Sequence, residues 1–358
     1  MTRFAACFIL VFGELAWGGL FALSIPPFFK VERGFYKSSA SVYLGASLTT
    51  AIGLGLLALR GGASTGPGAG ALWTAAAMWT LSSAAVAVYL YTLWTEHGLL
   101  RSRAYAAGLV LGLIALISNV MLLMPPGFGA VAAVAYAMTA VTSALVLGLV
   151  SGAMLFGHWY LIDLDMPVDY LRTFVRLLGI VLVADLVALG LAIGLPAMMG
   201  SASAAAAVHD LFASHSGLLA VRLLLGPIAT IILVWMCWQT LKIPQTMAAT
   251  GLLYIAVMSV LVGEMLGRFI LFRTAIPLCH NAWYVCFTRS QRRPYLFTNN
   301  FHEPELTARC HPDSRASSNP GPLAIPSFTR AATLDGGNGG ERKMSTKVKK
   351  LLLRTLFV

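Results

Sequence analysis

"LVGEMLGRF", residues 261 to 269, sets a glutamate and an arginine four residues apart inside an otherwise apolar run. Read as a soluble helix, the stretch would be a core segment with one buried ion pair. Its flanks decide otherwise. From residue 248 to 272 the chain offers about 25 residues of mostly apolar sequence, and about 20 suffice for a helix to cross the hydrocarbon core of a bilayer. A shorter echo, "FGELAWGG", residues 12 to 19, puts a second glutamate in the first apolar run.

The same reading extends over most of the chain. Of 358 residues, 58% are hydrophobic and 11% charged, whereas soluble domains carry roughly 25% charged residues. Eight apolar segments are long enough to span: 4–28, 40–60, 72–95, 104–124, 129–157, 173–199, 217–241 and 248–272. Connectors rich in Gly and Pro separate several of them, including "RGGASTGPGAG" and "MPPGFG". The expected fold is all-α, a polytopic membrane bundle of eight transmembrane helices over residues 1–274. Glu14 and the length of the first apolar stretch argue for a retained span rather than a cleaved signal.

Charge divides the chain. Residues 1–270 hold 12 Lys and Arg against 9 Asp and Glu, net +3, and residues 271–358 hold 13 against 5, net +8. The body has no basic face for nucleic acid, and membrane lipid is its expected surround. Connectors after odd-numbered spans carry Lys30, Arg33, Lys37, Arg101, Arg103, Arg172 and Lys242, whereas those after even-numbered spans carry Arg60 and little else. The positive-inside rule puts the first set in the cytoplasm and the N-terminus outside, in the cell's inner (plasma) membrane. The basic tail argues the opposite way. Residues 275–358 have no helical or strand period and are rich in Pro, Gly, Ser and Arg, a disordered composition. They end in "MSTKVKKLLLRTLFV", which reads like the start of an export signal. Two readings stay open, a real basic tail or a frameshift or read-through product. The five cysteines form no C-x-x-C pair, and no metal or disulfide framework is expected.

The informative residues are the ionisable ones inside spans. Glu14 lies ~15 Å and Glu264 ~12 Å from the surface that both termini share, so the two carboxylates can face one pocket. Arg268 is one turn from Glu264, a spacing suited to an ion pair. Arg222 enters the seventh span from the same surface, Asp185 sits near the centre of the sixth, and His209 and His215 lie in the connector between them. Charge at the bilayer centre costs about 2.5–3.5 kcal/mol on insertion scales and marks ion, proton or substrate paths by default. The plainer reading is structural, with Glu264–Arg268 and Asp185–Arg222 as ion pairs that fix packing. On the opposite surface, "FGHWYLIDLDMPVDYLRTFVRL", residues 156 to 177, combines an aromatic belt with His158, Asp163, Asp165 and Asp169. It reads as a solvated loop or as a docking surface for a partner. His97 and His158 end spans on this side, outside the core positions a haem needs, and no haem is expected.

Two short motifs resemble a known family. Phe12, Gly13, Gly18 and Gly19 in the first span, and Gly263, Glu264, Met265, Gly267 and Arg268 in the last, resemble the two ends of the membrane-anchor subunit of dimethyl-sulfoxide reductase. The wider family is the NrfD/polysulfide-reductase type of quinone-interacting membrane subunit. The resemblance implies an eight-helix subunit without haem or metal that exchanges electrons between a quinone (menaquinone or ubiquinone) and an iron–sulfur partner, alongside a molybdopterin-type catalytic subunit. Glu14 and Glu264 would then handle protons, and Arg268, Arg222, His209 or His215 would contact the quinone. His158, Asp163 and Asp165 are the expected docking residues. The connector "RGGASTGPGAG" departs from those relatives, which carry a histidine there. A proton-conducting channel or transporter using the same carboxylates, and a structural anchor without chemistry, are the competing functions.

Overall fold

The computed structural model describes residues 2–61, 67–95, 97–123, 129–160, 162–163, 166–199, 209, 212–243 and 245–274. Asp165, the middles of two glycine- and proline-rich connectors and residues 275–358, with everything expected of the tail, lie outside the described residues.

The described residues are helical and contain no strand. In chain order the helices are α1 (Thr2–Ala22), α2 (Arg33–Gly61), α3 (Pro67–Thr92), α4 (Gly98–Leu123), α5 (Gly129–Trp159), α6 (Asp169–Met199), α7 (Ser216–Lys242) and α8 (Thr246–Thr274). Seven of them, α2 to α8, are long and apolar enough to cross a membrane. The first is apolar over the shorter stretch Cys7–Ala22, ~24 Å at 1.5 Å per residue against a hydrocarbon core of about 30 Å.

Several boundaries differ from the sequence expectation, the starts of the third, fourth and sixth helices by four to six residues, and two of the differences have identifiable reasons. The first helix stops at Ala22 rather than near 28, because Pro26 and Pro27 lack backbone donors and push the residue before them out of the helical region. The second begins at Arg33 rather than 40. Hydropathy locates the lipid-facing core of a span, and the polar turn "RGFYKSS" extends the helix beyond it.

The eight helices pack as two rings of four. α1 touches α2 and α4, and α3 lies between those two; α5 touches α6 and α8, and α7 lies between them. The rings meet mainly where α1 crosses α5. At that crossing Gly18 and Gly148 bring the two backbones together, and a Cβ on either would strike main-chain atoms of the other helix. In lipid there is little hydrophobic gain from joining two helices, so such close approach supplies the packing contacts instead. α1 and α5 are consequently the most enclosed elements. Large apolar side chains face outward elsewhere, among them Ile52, Val110, Ile180, Trp235 and Ile255.

One end of the bundle carries cations laid over rings: Lys37 on Trp94 at 4.9 Å, Arg101 on Phe28 at 4.1 Å and Arg176 on Trp238 at 5.5 Å. Arg172 pairs with Asp169 at 2.9 Å and donates to the Leu241 carbonyl near the end of α7, also at 2.9 Å. Tyr160, just beyond α5, donates to the Pro167 carbonyl, and burial pushes its phenol up, so it keeps the proton it donates.

Candidate functional site

Glu14 is 3% exposed, Glu264 and Asp185 6%, and Arg222 8%. Four helices deliver these groups to one place between the rings. On α8, Glu264 and Arg268 share a face one turn apart. Arg268 reaches across to α1 and donates to Oε1 of Glu14, and it also lies 3.5 Å from Oε2 of Glu264. Arg222 of α7 approaches Glu264 at 3.8 Å. The chain thus runs Glu14–Arg268–Glu264–Arg222, with alternating charge. Each ion pairs with the next, which offsets the cost of desolvating all four.

The glycines of the two motifs make room for this arrangement. A Cβ on Gly267 would collide with the guanidinium of Arg222, so the arginine lies across α8 only because that position is bare. Gly263 packs against Gly226 of α7. Gly226 lies in a short π-helical turn, Leu224–Ile228, which contains Pro227 and directly follows the α-helical turns bearing Arg222. Proline removes one backbone donor there. The carbonyl deprived of that donor lies four or five residues earlier, at Leu223 or Arg222, while the Leu225 carbonyl within the turn accepts from the Ser259 hydroxyl of the neighbouring helix. Such wide turns recur at functional sites.

Asp185 differs from the ion pair expected with Arg222. Its Oδ1 accepts hydrogen bonds from Thr142 at 2.7 Å and Ser143 at 3.3 Å, both on α5, while Arg222 is engaged with Glu264. Asp185 is thereby held beside Ala144, where α5 meets Gly18 of α1, one turn from Glu14. The hydroxyl pair was missed at the sequence level. "TAVTS", residues 139 to 143, held the signal in two adjacent hydroxyl residues, Thr142 and Ser143, within an apolar span.

Within the cluster, Oε2 of Glu14, Oε2 of Glu264 and Nε of Arg268 make no hydrogen bond, although Oε2 of Glu264 faces Arg268; Nδ1 of His215, outside these contacts, is likewise buried and without a hydrogen bond. His215 immediately precedes α7, two turns from Arg222. His209 is exposed, and no described contact joins it to the cluster.

On the opposite surface the structure places His158 in the last turn of α5, exposed, with Nδ1 3.3 Å from the Tyr254 hydroxyl of α8. Asp163 follows, partly buried. His97 is exposed at the start of the stretch leading into α4. Among the described residues no group of three His, Cys, Asp or Glu is placed to hold a metal ion.

No protein-family model, no curated protein and no solved structure matches the chain significantly.

Proposed function

We propose that the chain is an eight-span subunit of the inner membrane, N-terminus outside, that binds a quinone or quinol beside the Glu14–Arg268–Glu264–Arg222 cluster. It exchanges electrons with an iron–sulfur partner, as in the NrfD/polysulfide-reductase type it resembles. The observation that carries the reading is a buried cluster, shared by the first and last helices, in which Oε2 of Glu14, Oε2 of Glu264 and Nε of Arg268 make no hydrogen bond. A quinone supplies a two-electron, two-proton couple. Its oxidised form needs donors and its reduced form acceptors, and the cluster has both in an apolar surround. Nε of Arg268 and Nδ1 of His215 (in its donor tautomer) serve ring carbonyls, while Oε2 of Glu14 or Glu264 accepts from a ring hydroxyl and takes its proton. Arg222 holds Glu264 in place, and the two arginines keep the carboxylates oriented. His209 has no part in this arrangement. His158 and Asp163, with Asp165, form the docking side for the partner, with a molybdopterin-type subunit beyond it.

Quinol oxidation by membranes carrying Glu264→Gln tests the reading. The variant keeps the shape of the side chain but cannot carry a proton between oxygens. Quinol-dependent turnover should fall by at least 100-fold, on the order expected when a general base is lost, while the protein remains inserted at normal abundance. Undiminished turnover removes Glu264 from the chemistry. A second reading, a quinone-independent proton conductor, is favoured by Asp185, which adds a third carboxylate to the cluster. Proton flux through the purified protein in quinone-free liposomes would select it.

A further inference from the structure

The charges of the cluster do not balance. Three buried carboxylates stand with two guanidiniums, Arg222 on α7 and Arg268 on α8: Glu14 on α1 and Glu264 on α8 pair with them, and Asp185 on α6 is bonded to Thr142 and Ser143 of α5, next to Ala144, where α5 meets Gly18 of α1 one turn from Glu14. α5 adds only the neutral hydroxyls of Thr142 and Ser143, and His215, two turns from Arg222, pairs with none of the three carboxylates. Arginine does not give up its proton in proteins. With every carboxylate ionised the group would therefore carry a net charge of −1 within the hydrocarbon region, where a single uncompensated charge is heavily penalised. Without Asp185 the count would be two against two.

The geometry also says where neutralisation is easiest. Asp185 accepts two hydroxyl hydrogen bonds on one oxygen, which favours its anionic form. Oε2 of each glutamate accepts no hydrogen bond, but that of Glu264 faces Arg268 at 3.5 Å, which leaves Oε2 of Glu14 as the buried oxygen with no partner. A proton on Oε2 of Glu14 removes the excess charge without breaking a hydrogen bond or an ion pair already made, and one on Oε2 of Glu264 does so at the expense of its 3.5 Å contact with Arg268.

We propose that the cluster holds one exchangeable proton on its glutamates, and that Asp185 is the positioning residue that obliges it to do so. Asp185 makes no contact with a reacting group in this scheme. It sets the proton inventory of the site, so that one glutamate is already protonated while the other is free to accept. The role of that proton in turnover rests on the quinone reading above, whereas its presence does not.

Infrared spectroscopy of the purified protein near neutral pH, in H2O and in D2O, reads this directly. A protonated carboxyl in an apolar surround gives a carbonyl stretch separate from the amide and carboxylate bands, and the stretch shifts on deuteration. The wild-type protein should show that band. Asp185→Asn, which leaves two carboxylates to two guanidiniums, should lose it entirely, and Asp185→Glu should retain it. Should Asp185→Asn fail to fold, Glu264→Gln gives the same two-to-two count and should lose the band as well. No deuterium-sensitive carboxyl band in the wild type, or an undiminished band in a two-to-two variant, overturns the proposal. A band that behaves as expected in a protein without quinol activity would leave this inference standing and remove the quinone reading.

Discussion

At the scale of single residues, the decisive object is an arginine that serves two carboxylates from different helices. Arg268 neutralises Glu14 across the bundle and Glu264 along its own helix. Removing one partner of a buried pair leaves an uncompensated charge and costs about 3–5 kcal/mol, whereas replacing both by neutral groups of similar shape is often close to neutral. Arg268→Met should therefore strongly lower the thermal stability of the detergent-solubilised protein. Adding Glu14→Gln to it should restore most of the loss. A double variant no more stable than the single one would mean that pairing with Glu14 is not what makes Arg268 necessary. The sequence disclosed these two residues because charge in an apolar run is rare and conspicuous. It did not disclose which carboxylate the arginine prefers, since a spacing of four fixes only the partner on the same helix.

Between elements, small residues decide how closely helices can approach. α1 and α5 cross with Gly18 against Gly148, and α7 and α8 with Gly226 against Gly263. Overpacking a tight contact typically costs about 1–3 kcal/mol, and here the added atoms would meet backbone, which cannot rotate aside. Gly148→Ala should lower the melting temperature in detergent and weaken the meeting of the two rings. Gly190→Ala on α6, where a Cβ meets nothing within 4 Å, should leave the melting temperature unchanged. Equal melting temperatures for the two variants would contradict the close crossing. From sequence these glycines read only as tight packing in general. Which of the glycines in this chain stands at a crossing is a property of the pair of helices, and one helix alone does not specify it.

For the whole molecule, the basic and aromatic residues of one end define an interface. Lys37, Arg101 and Arg176 each rest on a ring, and cations with aromatic partners belong at the membrane–water boundary. The orientation proposed here puts this end in the cytoplasm. Single cysteines introduced at Lys30 and at His97 should react with a membrane-impermeant thiol reagent only after the cells are opened. Labelling of both in intact cells would invert the orientation and move the ion cluster toward the cytoplasmic half. The same measurement at residue 2 decides whether α1, apolar over the shorter stretch Cys7–Ala22, crosses the membrane.

The sequence by itself determined the membrane class, the helical fold and the approximate place of each long helix, because a bilayer demands about 20 apolar residues per crossing and the demand is local. It also singled out Glu14, Glu264, Arg268 and Arg222, since each is costly where it stands. Only the tertiary structure decided that the helices form two rings joined at α1 and α5. It likewise decided that Arg268 spans both rings, and that Asp185 turns to the hydroxyls of α5 and leaves Arg222 to Glu264. Those outcomes depend on how far apart backbones settle and on which of several nearby opposite charges ends up closest. Such distances are set between helices, and hydropathy along one chain carries no record of them.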